Sequence, residues 1–157
     1  MLLDADLEYD PKELLRLVAP IASGDADVVY GSRFTSSSIP PSLIWRIHRL
    51  GNRLLTAFSN RLTGQSLTDM ETGYKAFRAE IIRALELNED GFGIEPEITA
   101  KIAARRITIA EIPISYAGRT YREGKKVKWT DGLRAVWIIW KHRLPRKSTR
   151  HIKGPGS

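Results

Sequence analysis

Residues 1–11 read MLLDADLEYDP, a short apolar run that turns directly into acids and then into a proline. The same triplet, DAD, returns at 25–27 within SGDADVVYGSR. Where each copy stands relative to a strand decides the fold. Met1–Leu3 reads as the end of a buried strand, so Asp4 and Asp6 leave it at the carboxyl edge, where ligand crevices of open α/β sheets lie. Residues two apart on an extended chain project to the same side, and Glu8 continues that row. Hard oxygen donors without histidine or cysteine suit magnesium or manganese, which keep open positions for phosphate oxygens. A pair of solvated turn acids is the competing reading, because a lone D-x-D is a weak motif. Asp25 and Asp27 follow the helix-stopping Gly24 and precede DVVY, which is the opposite edge, where acids form turns.

Outward from the first triplet, Pro11 opens a helix, PKELLRLVAPIASG, with Leu14, Leu15, Val18 and Ile21 at helical spacing. Asp27–Tyr30 suits a strand. Strand, helix and strand joined by short links form the βαβ pattern of a parallel sheet, so the class is α/β. The stretch LIWRIHRLGNRLLTAFSNRLTG reads as helical, with Gly51 a candidate break. Its apolar set is Ile44, Ile47, Leu50, Leu54, Phe58 and Leu62, and Arg46, Arg49 and Arg53 gather on another face. A strand is expected within 69–78, a helix over 79–87, and a helix around EPEITAKIAARR with Pro96 in its first turn. TIAEIPISY, 108–116, alternates like a strand, and Pro113 marks an edge or an end. The last helix, KWTDGLRAVWIIWKHRL, carries Trp129, Leu133, Val136, Trp140 and Leu144 along one stripe. Residues 1–144 read as one domain and 145–157 as a disordered basic tail.

The 157 residues, 42% hydrophobic and 27% charged, suit a folded domain. The absence of cysteine excludes disulfides and thiolate metal sites, and His48, His142 and His151 lack zinc spacing. No stretch is apolar over a membrane-spanning length, and the expected compartment is the cytoplasm. The net charge of +7 is uneven: residues 1–40 hold seven acids against three bases, whereas 117–157 hold twelve bases against two acids. Such a split suggests one end for a cation and another for anions. Arg119, Arg122, Lys125 and Lys126, in GRTYREGKK just past a strand, suit a phosphate or pyrophosphate. A solvated basic loop is the plainer reading, and a nucleic-acid groove with Tyr116, Tyr121 and Trp129 stacking is a third.

Six blocks in order, DADLEYDP, VVYGSRF, LGNRLLT, TDMETGYKAFR, GFGIEPEITAKIA and IPISYAGRTYREGKKVKWTDGLRA, span Leu2 to about Arg143. Together they resemble family 2 glycosyltransferases, in the subgroup of polyprenyl-phosphate mannose and glucose synthases. The resemblance implies an A-type glycosyltransferase fold, Rossmann-like, with a mostly parallel sheet and flanking helices. It implies inverting transfer from a nucleotide-sugar donor to a polyprenyl phosphate or another membrane-associated acceptor. Asp4 and Asp6 would then bind the metal, magnesium or manganese, and the donor diphosphate, with Glu8 at a further metal-side position. Arg33 would lie near the donor, and Asp69 near the sugar and acceptor. Glu95 and Glu97 fall at the family's acidic helix start, and Arg119, Arg122 and Lys126 would hold phosphate. Family members carry a further βαβ half before the DAD that binds base and ribose. Nothing here matches it, so the sequence is expected to be a fragment with little transferase activity alone. The terminal helix, with VWIIW between basic residues, suits the inner face of an anionic membrane, and a helix packed on the sheet is the plainer reading of most of it. The competing class is a non-catalytic basic module for membrane or nucleic acid.

Overall fold

The computed structural model describes residues 2–3, 12–34, 43–115 and 129–142. The expected basic tail lies outside them. The order of elements is β1 (Leu2–Leu3), α1 (Glu13–Ser23), β2 (Val28–Ser32), α2 (Leu43–Thr63), β3 (Tyr74–Phe77), α3 (Ala79–Ala84), a 3₁₀ turn (Gly91–Gly93), α4 (Ile94–Ala104), β4 (Ile109–Pro113) and α5 (Trp129–His142).

The strands form one sheet in the order β1-β3-β2-β4. β2 pairs with β4 in parallel, whereas β3 is antiparallel to both β1 and β2. Three strands thus run one way, and β3 inserts between β1 and β2 in the other direction. The strand–helix–strand unit read from the sequence is present, but its two strands are not hydrogen-bonded neighbours. As β3 runs backwards, the loop that enters it, 69–73, lies at the carboxyl edge of the other three strands, beside the point where the chain leaves β1. Leu3 pairs with Tyr74 and Tyr30 with Lys75 in this register.

Alternation along the strands divides the core into two layers. Val28, Tyr30 and Phe77 face α2, α4 and α5, packing with Met70, Ile98, Ile102 and Ile139. Val29, Tyr74, Ala76 and Ile114 face α1 and bury Leu17. β2, apolar except at its end, is buried throughout, as a strand covered on both faces must be. Gly31 is required there, because a Cβ would meet the Ile114 side chain at 2.8 Å.

Helix ends follow local chemistry. α1 stops at Gly24 in the left-handed region, φ 85°, where its N–H reaches Ile21 and that of Asp25 reaches Pro20. Asp25 accepts from Ser23 Oγ and Asp27 pairs with Arg78 at the amino edge, so the second DAD is structural. α2 runs unbroken through Gly51. Its inner face is Leu55, Phe58 and Leu62, while Ile47, Leu50 and Leu54 are exposed. α5 likewise buries Ala135, Ile138 and Ile139 and exposes Leu133, Val136, Trp137 and Trp140. Of the apolar stripes read from the sequence, the described part of that on α5 points outward, whereas that on α2 divides, with Phe58 and Leu62 inward.

Candidate functional site

The carboxyl edge gathers charge. β2 ends in Ser32 and delivers Arg33 to the loop that precedes β3. The Asp69 carboxylate, fully buried, accepts from Arg33 Nε at 2.6 Å, Nη2 at 2.7 Å and backbone N–H at 3.1 Å. Asn52 Nδ2, from α2, donates a fourth bond at 2.8 Å. Burial by itself would raise the Asp69 carboxyl, but the charge and hydrogen bonds of Arg33, helped by Asn52, hold it below the usual carboxylate range. Asp69 is therefore a fixed anion that orients Arg33 and does not take up protons near neutral pH.

Two residues further on, Glu71 differs in kind. Its Oε1 is buried and has no hydrogen-bond partner. Burial, then the neighbouring Glu95 carboxylate, pushes its carboxyl up to about 8, with Lys75 and Arg33 opposing. It holds a proton at neutral pH. Lys75, on β3, is fully buried and donates to the Thr72 carbonyl, its Nζ 4.8 Å from the Tyr30 ring centroid. Burial pushes the Lys75 ammonium down, and Glu95, Glu71 and Asp69 pull it back up. Thr99 Oγ donates to the Glu95 carbonyl, which leaves it to accept from the Tyr30 hydroxyl at 3.0 Å. The cluster thus sets two cations, Arg33 and Lys75, against Asp69, Glu71 and Glu95.

Beside it, two guanidinium groups lie over the Phe34 ring, Arg33 at 5.6 Å and Arg49 at 5.3 Å from its centroid. A cleft of about 230 Å³ opens here, lined in part by Phe34, Arg53, Ala57 and Leu67. Thr56, Asn60 and Thr68 complete its lining, so its walls are mixed, with one arginine among them.

Residues 1–86 match the family model described as Glycosyl transferase family 2. The chain belongs to glycosyl transferase family 2. It is 33% identical over 119 residues to "Glycosyltransferase AglJ" of Haloferax volcanii, an alignment covering 76% of this chain and 38% of the relative. It is 30% identical over 127 residues to an undecaprenyl-phosphate mannosyltransferase of Micrococcus luteus, with 78% and 51% covered. A polyprenol monophosphomannose synthase of Mycolicibacterium smegmatis is 28% identical over 120 residues, with 74% and 44% covered. The chain spans from about two fifths to about half the length of these curated relatives.

Within this family 2 chain, the structure brings together two of the expected site residues, Arg33 and Asp69, with Glu95 on the first turn of α4 close behind. Glu97 is placed otherwise. Its carboxylate, fully buried, accepts from the N–H groups of Asn88 and Glu89 and from Lys101. It ties the loop before the 3₁₀ turn to α4, so it acts as a loop anchor rather than a group facing Asp69. Asp4, Asp6, Glu8, Arg119, Arg122 and Lys126 lie outside the described residues. Among the described residues no cluster of three acids or histidines could hold a metal ion. No described helix is long and apolar enough to cross a membrane.

Sequence reading missed Glu71, Lys75, Asn52 and Glu111. A signal for two of them was present. Lys75 lies within YKAF, where a charge on an inward strand position needs a partner, and Glu71 stands four residues before it.

Proposed function

We propose that this chain is part of the catalytic domain of an inverting glycosyltransferase that moves a sugar from a nucleotide-sugar donor to a polyprenyl phosphate. The observation that carries the reading is the Arg33–Asp69 pair at the carboxyl edge of the sheet, where the chain leaves β1 for DADLE. An arginine fixed there by a buried carboxylate supplies a cation already oriented for phosphate oxygens. Asp69 and Glu95 are the acids nearest the transferred sugar, and Arg119, Arg122 and Lys126 are the cations that hold phosphate. Glu97 serves the same site by holding the loop before α4.

Asp4, Asp6 and Glu8 would hold a magnesium or manganese ion. The donor set fits, as it offers only carboxylate oxygens from a chain without cysteine. When bound, such an ion neutralises charge that develops on the nucleoside diphosphate leaving group. A phosphate acceptor is already ionised at neutral pH, so the residues that matter orient it and need not deprotonate it. This agrees with Asp69 being held as a permanent anion.

The exposed apolar residues Ile47, Leu50 and Leu54 on α2, a helix with no acid, suit contact with an anionic membrane surface at the cytoplasmic side. The stacked Trp137 and Trp140 of α5, ring centroids 5.2 Å apart, suit the same contact. A basic binding module without catalysis remains the second reading, on the strength of these same arginines.

Titration of the protein, in its full natural length, with a nucleoside diphosphate, with and without manganese, separates the two. Binding that needs the metal and falls in Asp6→Asn supports the transferase. Binding of any polyanion that ignores chelator and weakens steeply with salt supports the module.

A further inference from the structure

Asp69 and Arg33 are pinned to each other, but that does not explain why the loop carrying Asp69 stays at the end of β2. β4 supplies the reason. Glu111 lies beside Tyr30 in the parallel β2–β4 register. Its carboxylate accepts from the Thr68 N–H at 2.9 Å, the Asp69 N–H at 2.9 Å and the Thr68 hydroxyl at 2.9 Å. Since Thr68 gives its only hydroxyl proton to Glu111, its oxygen accepts from Ser32 Oγ, 2.6 Å away. Ser32 Oγ in turn accepts from the Phe34 N–H. The bonds run in one direction, from the backbone that flanks Arg33, through two hydroxyls, to a single carboxylate.

We propose that Glu111 is a positioning residue for the Arg33–Asp69 pair, acting as the common acceptor that fixes the backbone on both sides of it. Both ends of the ion pair hang on this relay. Ser32 and Phe34 bracket Arg33, and Thr68 and Asp69 supply the N–H groups that Glu111 holds. An ionised carboxylate can take three donors, whereas an amide at the same place offers one oxygen and adds donors of its own. Glu111→Gln therefore keeps the shape and breaks the relay. The importance of the pair for sugar transfer rests on the proposed function, but the geometry of the relay does not.

The test follows the Arg33 Nε–H by ¹⁵N NMR in the 157-residue protein, where it is bonded to Asp69 and its side chain is 11% exposed. In Glu111→Gln its exchange with solvent is expected to speed up at least about tenfold, the effect of losing hydrogen bonds to a charged acceptor. The backbone amides of Ile98, Ile102 and Ile139, buried at 0% in the core, should keep their rates. Thr68→Val removes only the hydroxyl link and should give a smaller acceleration at Arg33, which keeps the test valid if Glu111→Gln folds poorly. Unchanged Arg33 Nε–H exchange in both variants would overturn the proposal. So would acceleration of the core amides in step with Arg33, which marks a general loss of stability. Manganese-dependent nucleotide binding, measured beside it, keeps the two ideas apart. That binding is read in the protein's full natural length: its absence there would sink the functional reading, while the exchange data still decide the role of Glu111.

Discussion

Asp69 and Glu97 make an instructive pair. Both side chains are fully buried, both are bonded to a cation, and both are held below the usual carboxylate range against the effect of burial. They differ in what they hold. Glu97 is used up by the Asn88 and Glu89 amides and by Lys101, all parts of one loop and one helix. Asp69 holds the guanidinium of Arg33 at the sheet's carboxyl edge, next to a protonated Glu71 with an unpartnered oxygen. A buried acid that stabilises a loop and a buried acid that arms a cation look alike in sequence. Their partners tell them apart.

The largest expected effect comes from removing one partner of the Arg33–Asp69 pair. Asp69→Ala leaves Arg33 buried without its counter-ion and should cost about 3–5 kcal/mol of stability in urea unfolding. Glu97→Ala should cost less, about 1–3 kcal/mol, with faster hydrogen exchange confined mainly to the Asn88 and Glu89 amides. If Glu97→Ala were the more damaging, the ranking of the two acids would be reversed.

A pH series sharpens the contrast between Asp69 and its neighbour. The Glu71 carboxyl goes from an ordinary 4.5 to about 8 on folding. Its folded form thus binds the proton more tightly, and the stability this contributes is complete below the unfolded value and is lost as pH rises toward 8. Urea midpoints of Glu71→Gln should therefore gain on wild type as pH is raised from about 5 to about 9. A constant difference across that range would mean that Glu71 is ionised throughout. The smallest effect belongs to the surface: Leu54→Ser and Trp137→Ser should change stability by no more than about 0.5 kcal/mol. Sedimentation with anionic vesicles should nonetheless fall in both, and unchanged sedimentation would remove these helices from membrane contact.

Much of this fold was legible in the sequence. Pro11 and Gly24 bracket α1 within two residues, DVVY locates β2, and the second DAD stands at the amino edge of β2, as its place before DVVY implied. The antiparallel insertion of β3 was not legible, because DMETGYKAFR does not state its direction; that comes from long-range pairing with Leu2, Leu3 and Val28–Tyr30. Nor was the inner face of α2 or α5. Both helices carry apolar residues around much of their circumference: α5 leaves Trp137 and Trp140 outside, and the row read on α2 divides, with Phe58 and Leu62 inside and Ile47, Leu50 and Leu54 outside. At the site, Arg33 and Asp69 could be named from the resemblance. Glu97 was named with them, and residue type and spacing could not reveal that Arg33 and Asp69 pair with each other while two backbone amides bind the Glu97 carboxylate. Asn52 and Glu111 were invisible for the complementary reason: they act through contacts 17 and 42 residues away in the chain.

The most direct test is sugar transfer from a nucleotide sugar to a polyprenyl phosphate, measured with manganese in the protein's full natural length. Asp69→Asn and Glu97→Gln would be compared after matching their folded fractions. The structure predicts that transfer is lost in Asp69→Asn and largely retained in Glu97→Gln. Retained transfer in Asp69→Asn together with its loss in Glu97→Gln would contradict the assignment of the working site to the Arg33–Asp69 edge.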